Sequence, residues 1–195
     1  MTNLRMLVAA TMLAITFSTT LAPASYAQGT VVIIIDEGRI LADSKAGKDL
    51  FTKLKNIETQ INNELKAPRD ALEAERTSLA AQVDGKTREA IVADAALVAR
   101  IEAFQTKANE FAQKRSLLQQ EYAATEQKGF VDFNTAIEPV LLEVVKEKGA
   151  QVVLSKSQAV FSADTVDATP AIVSKLDVRT PAITVVRQRA PAAPQ

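Results

Sequence analysis

Residues 97–129 read LVARIEAFQTKANEFAQKRSLLQQEYAATEQKG. Within them Leu97, Ile101, Phe104, Ala108, Phe111, Arg115, Leu118, Tyr122, Thr125 and Gly129 follow one another by alternating steps of four and three. A mean step of about 3.5 residues is the seam of a helix packed lengthwise on another helix. The partner lies upstream. Leu50, Leu54, Ile57, Ile61, Leu65, Pro68, Leu72, Arg76, Leu79 and Val83 also advance by threes and fours, until Asp84-Gly85 breaks the run. A short link joins antiparallel neighbours, so the two series predict a hairpin with its tip near Val83 to Lys86. The first arm, at roughly 1.5 Å per residue, would extend about 50 Å.

This seam is uneven. Pro68 removes a backbone donor and is expected to bend the first arm. Arg115, Thr125 and several Ala stand where a tight two-stranded coiled coil prefers Leu or Ile. The reading is a slender, pliable pair. Its alternative, two long core helices of a bundle, meets the difficulty that no further helical segment of similar length exists to cover them.

Working outward, Thr30-Val31-Val32-Ile33-Ile34-Ile35-Asp36 is a β-branched apolar run, expected as a strand buried on both faces. Beyond Gly129 the apolar residues grow larger and denser: Phe130, Phe133, Ile137, Leu141, Val144 and Val145. The helix there should enter a firm core, with Pro139 as a possible kink and Gly149 as its end. Gln151 to Leu154 reads as a second strand, and Ala159-Val160-Phe161 as a third returning through a turn. Asp167-Ala168-Thr169-Pro170 announces a short helix over Ala171 to Leu176, with Thr169 as N-cap and Pro170 at the first position. A Pro-, Ala- and Arg-rich tail, 178–195, is expected to be disordered. A three-stranded sheet of this size buries little and exposes its edges, which association between copies would cover. Gly129, at the passage from arm to body, is a candidate hinge, with close helix packing as the equal alternative.

The N-terminus sets the route. Arg5, the uncharged apolar run Met6 to Phe17 and Ser25-Tyr26-Ala27 form a signal peptide over 1–27, cut after Ala27. The run is too short for the roughly 20 residues of a spanning helix. Removing it takes Arg5 away and leaves 22 basic against 23 acidic residues, no invitation to nucleic acid. The chain has no Cys and no His, so disulfides, a Cys nucleophile, Cys/His zinc sites and the commonest general base are excluded. Ser155 and Ser157 lack any His, and Asp36-Glu37 has no base or nucleophile beside it. The six Gly are too scattered for a phosphate loop. No catalytic residue, metal or cofactor is expected.

The signal peptide, the strand VVIIID, the Ala/Gln/Lys/Glu-rich hairpin and the closing block AQVVLSKSQAVFSADTVDATPAIVSKLD together resemble the Skp/OmpH family of periplasmic chaperones over residues 30–177. The closing block is the most specific part. The resemblance implies an α+β protein: a helical arm, 44–129, on a small β-rich body, 28–43 and 130–177, assembled as a homotrimer with a shared β-barrel-like body. It also implies a periplasmic, ATP-independent holdase whose partners are unfolded outer-membrane proteins. Val32, Ile34, Val152, Leu154 and Val160 would then belong to the trimer body. Leu65, Leu72, Leu79, Leu97, Phe104, Phe111 and Leu118 would form the client surface on the arms.

Two features depart from the family pattern. Residues 50–128 hold twelve Lys/Arg and twelve Asp/Glu, so the arms are neutral where such chaperones are often strongly basic. This puts in doubt binding to anionic lipid. Lys86 and Arg88 read first as solvated loop charges and second as a weak contact with a membrane surface. The tail is the other departure. The residues alone leave a second class open, a non-enzymatic coiled-coil adaptor of the cell envelope.

Overall fold

A computed structural model describes residues 29–189. The signal peptide read over 1–27 and the last six residues lie outside the described residues. The element order is β1 (Val32–Ile35), α1 (Glu37–Asp43), α2 (Lys45–Val83), α3 (Arg88–Ala93), α4 (Ala95–Lys148), β2 (Val152–Ser155) and α5 (Thr169–Arg179). Single 3-10 turns, Lys156–Gln158 and Asp164–Val166, lie between β2 and α5.

Each helix boundary has a local cause. Asp36 caps α1 by accepting from the Arg39 N–H at 2.9 Å. Ser44 ends α1 and caps α2, its hydroxyl accepting from Gly47 N–H at 3.0 Å. The corner admits only glycine at 47, because a Cβ there would stand 1.7 Å from the Leu41 carbonyl oxygen. At the far end Gly85 turns with φ +70°. Thr87 caps α3, and Asp94 stops α3 and caps α4 through Leu97 N–H at 3.1 Å. The tip is therefore broader than the sequence suggests, with the one-and-a-half-turn α3 inserted between the arms. Gly149 closes α4 with φ +60° after Lys146 and Lys148, as expected from the helix macrodipole.

The 39 residues of α2 span about 58 Å and the 54 of α4 about 81 Å. Pro68 and Pro139 both lie inside their helices without ending them. The excess length of α4 crosses the body. There Phe133, Val140 and Val144 pack with Ile33, Ile35, Ile40, Leu50, Leu54, Ile172 and Leu176 in one core. Helix α5 docks on α4, where Lys175 Nζ reaches Glu143 at 2.6 Å and Glu147 at 2.8 Å.

The sheet differs from expectation. Among the described residues it has two strands, β1 and β2, parallel, with Ile33 opposite Val153 and Ile34 opposite Leu154. The whole hairpin is their crossover connection. Ala159-Val160-Phe161 is not a third strand: the chain winds a 3-10 turn after Ser155 and leaves the sheet, with Val160 and Phe161 fully exposed. Gly85 and Gly149 are the glycines at positive φ among the described residues, and neither serves the tight primed turn of a hairpin here. The other edge of β1 meets Asp167 in an isolated bridge, and Ala168 N–H donates to Ile34 C=O at 2.8 Å. The start of α5 is also corrected. Ala168 is its N-cap, Asp167 Oδ1 takes the Thr169 N–H at 2.8 Å, and the Thr169 hydroxyl accepts from Asp36 N–H instead at 2.9 Å. Thr169 thus joins the end of β1 to α5.

The tail expected to be disordered from 178 holds a defined course as far as 189. Helix α5 runs on to Arg179. Ile183 is then buried in the body core, and Arg187 and Gln188 bond to both arms. Short side chains and Pro mask this in a composition reading, because the contacts are made one by one to distant residues.

Candidate functional site: the helical hairpin

The α2–α4 pair divides into three zones. At the root, Ile57, Ile61 and Leu118 form a small buried cluster, flanked by Leu65, Tyr122 and Val185. At the tip, Leu79 and Leu97 are buried. Beside them Arg100 Nη2 bonds Glu75 at 2.7 Å and Ser78 at 3.2 Å. Between root and tip none of the seam residues is buried. An open cleft of about 790 Å³ lies there, floored by Pro68, Ala71, Leu72, Ala103, Phe104 and Phe111. Its rim mixes signs: Glu75 and Glu110 against Arg100, Lys107 and Lys114.

The seam steps are the same in all three zones; side-chain volume is not. Where the pair should interlock, the seam positions Pro68, Arg76, Ala108 and Arg115 carry no Leu or Ile, and Ala71 and Ala103, which flank the seam, add only methyl groups. Three of the expected client residues, Leu72, Phe104 and Phe111, come together on this cleft. The other four do not join it. Leu79 at the tip, Leu97 at 2% exposed and Leu118 at 4% are internal to the hairpin. Leu65 is half-buried against the root cluster. A 3–4 pattern marks residues that face the other helix, and facing residues are covered wherever the helices touch. Arg115 leaves the seam and is exposed, whereas Thr125 is buried and donates to Glu121 C=O at 2.6 Å.

Of the expected body residues, Val152, Leu154 and Val160 are exposed, as are Val31 and Phe161. Val32 is half-buried, and Ile34 is buried within its own chain between β2 and the Asp167–Ala168 segment. Ile34 is therefore a core residue and not a surface one. Gly129 lies buried in α4, where a Cβ would come within 2.8 Å of Leu50 Cδ1. Close packing accounts for glycine there without a hinge.

No helix among the described residues is long and apolar enough to cross a membrane. None of them group three or more acidic side chains as a metal site would.

The architecture is thus a long, cleft-bearing helical hairpin on a small parallel sheet. The family described as outer membrane protein (OmpH-like) matches residues 31–176, and the chain belongs to that family. Among solved structures it is similar to an OmpH-like protein of Caulobacter crescentus CB15 described as an outer membrane chaperone. The two are 29% identical, with a TM-score of 0.71, over 83% of this chain and 92% of that one. No curated protein sequence matches the chain.

Proposed function

We propose that this protein is an ATP-independent holdase of the periplasm. It binds unfolded outer-membrane proteins on its arms and keeps them from aggregating. The observation that carries this reading is the cleft of Leu72, Phe104 and Phe111 with its rim of both signs. A holdase needs dispersed apolar surface without a deep selective pocket, and enough charge to remain soluble. The cleft is open, and much of its floor is methyl, ring and prolyl surface that imposes little geometry on a ligand. Several such arms acting together would add weak contacts into useful avidity.

Assembly supplies those arms. Val31, Val152, Leu154, Val160 and Phe161 are exposed apolar residues of the body, and among the described residues β2 has one unpaired edge in a single chain. Exposed edges and apolar residues of this kind are covered by association. A homotrimer joined through the body satisfies both. Export by the signal peptide delivers the chain to its clients, and the neutral arms act by apolar contact more than by charge.

The test dilutes a urea-unfolded outer-membrane β-barrel protein into buffer containing the mature chain and follows light scattering. Suppression at one trimer per client is expected. Full aggregation at several-fold excess of trimer would discard the holdase and leave an envelope adaptor as the reading.

A further inference from the structure

Residues 180–189 leave α5 at the body and run along the hairpin toward its tip. The Ile183 N–H donates to Asp49 Oδ2 at 2.9 Å, and Lys53 Nζ donates to the Ile183 carbonyl at 2.7 Å. Asp49 and Lys53 stand one turn apart on α2 and bond each other at 2.7 Å. Both main-chain polar groups of one residue are thus held by side chains of the groove. The Ile183 side chain is 4% exposed. Val185 packs on both the body core and the root cluster. Arg187, its side chain 13% exposed, reaches across the pair to Glu64 of α2 and to Glu121 of α4 at 2.8 Å. Gln188 N–H donates to Thr125 Oγ1 at 2.8 Å. Ile183, Val185 and Arg187 face inward while Thr184 and Val186 are exposed, the two-residue period of an extended chain.

These contacts describe a peptide site that already has a peptide in it. We propose that the groove bounded by Asp49, Lys53, Glu64, Glu121 and Thr125 recognises an extended segment with apolar side chains at alternate positions followed by a basic one. The tail holds it in cis, and an unfolded client bearing the same pattern displaces the tail. This deepens the holdase reading and rests on it. Asp49 and Lys53 grip main chain, which every sequence offers. The apolar seats admit any aliphatic side chain, and the Glu64–Glu121 pair supplies the one selective position. Membrane-spanning strands alternate apolar and polar residues, so unfolded outer-membrane chains supply the apolar part of the pattern repeatedly, and a basic residue at a strand end, where charge on the lipid face is tolerated, completes it. A tethered tail acts at an effective concentration on the order of millimolar. Stray peptides are therefore kept out, whereas a client engaged by several arms competes.

Hydrogen exchange on the intact mature protein tests the displacement. The Ile183 and Gln188 amides report the groove, and the Ala168 amide, bonded to Ile34 C=O, reports the body. Adding the unfolded β-barrel protein should speed exchange at 183 and 188 at least tenfold and leave 168 unchanged. Unchanged protection at 183 and 188, with aggregation suppressed, overturns the proposal and spares the holdase. A second measurement does not need a client. A fluorescein-labelled peptide of residues 180–190 is titrated by anisotropy onto the full chain carrying Ile183→Asp and Arg187→Glu, and onto the wild type. Binding at least tenfold tighter to the substituted chain is expected, with a tenfold loss when the peptide itself carries Arg187→Glu. Equal binding to both chains, or no binding to either, overturns the groove whatever the aggregation assay shows.

Discussion

The root and the middle of the hairpin share one seam pattern and differ in what fills it. At the root, Ile57, Ile61 and Leu118 interlock and bury one another. In the middle, Pro68, Arg76 and Ala108 interrupt the seam, and Leu72, Phe104 and Phe111 line an open cleft. The lesson is that periodicity decides which side chains face the neighbouring helix, while volume decides whether they touch. On the proposed reading both outcomes serve: the packed root keeps the helices paired, and the open middle offers apolar surface to a client.

The contrast can be broken by truncation. Leu118→Ala should cost about 2–4 kcal/mol of unfolding free energy in urea, because it opens a cavity in a closed cluster. Leu72→Ala, on an open cleft, should cost less than about 1 kcal/mol and instead weaken suppression of client aggregation. Similar costs at the two sites would erase the distinction.

Gly129→Ala probes the passage from arm to body. Helix propensity favours Ala by about 1 kcal/mol, and overpacking against fully buried Leu50 costs typically 1–3 kcal/mol. A net loss of about 1 kcal/mol is expected in urea unfolding. A gain in stability, together with a changed small-angle scattering profile, would restore the hinge and reject packing as the reason for glycine.

Filling the middle sharpens the comparison from the other side. Ala103→Leu, beside the seam, should fill part of the cleft, raising the urea midpoint by an amount equivalent to about 1 kcal/mol while lowering client capacity. Rising stability with unchanged capacity would move the client surface elsewhere.

The smallest effect concerns pH at the root. The hydrogen bond from Arg187 holds the Glu64 carboxyl below its ordinary value of 4.5, against some burial, with Lys114 and Arg189 adding to the lowering. A depressed folded pKa stabilises fully above the unfolded value and is lost as pH falls through the folded one. Gln188 amide protection should therefore hold from neutral pH down to the ordinary carboxylate range and decline below it. Asp49 acts in the same direction. Burial pushes its pKa up, but the Lys53 and Ile183 hydrogen bonds outweigh this and hold it low. Glu64→Gln should flatten the decline at Gln188. An unaltered profile in that variant would assign the pH response to other groups.

Much of this was legible in residues alone. The alternating steps located both arms and their antiparallel pairing, since a helix repeats its faces every three to four residues whatever surrounds it. Asp84-Gly85 and Gly149 marked turns because their backbone requirements are local. The β-branched run at 31–35 was legible as a buried strand for the same reason. The candidate site was legible only by half. Leu72, Phe104 and Phe111 lie on the cleft, but Leu79, Leu97 and Leu118 obey the same pattern and are covered. A third strand was misread at 159–161 because strand propensity does not include a partner edge. Thr169 looked like an N-cap of its own helix, yet its hydroxyl serves the Asp36 amide, 133 residues away in sequence.

The sequence by itself determined the helical hairpin, its neutral charge, the absence of Cys and His, and the places where the chain turns. All depend on residue type and near-neighbour spacing. Only the tertiary structure decided where the pair stays open, that β1 and β2 lie parallel, and that residues 180–189 lie in the root groove. Those outcomes rest on contacts between residues far apart in the chain, such as Arg187 with Glu64 and Glu121, and no local pattern encodes which distant surface a segment will meet.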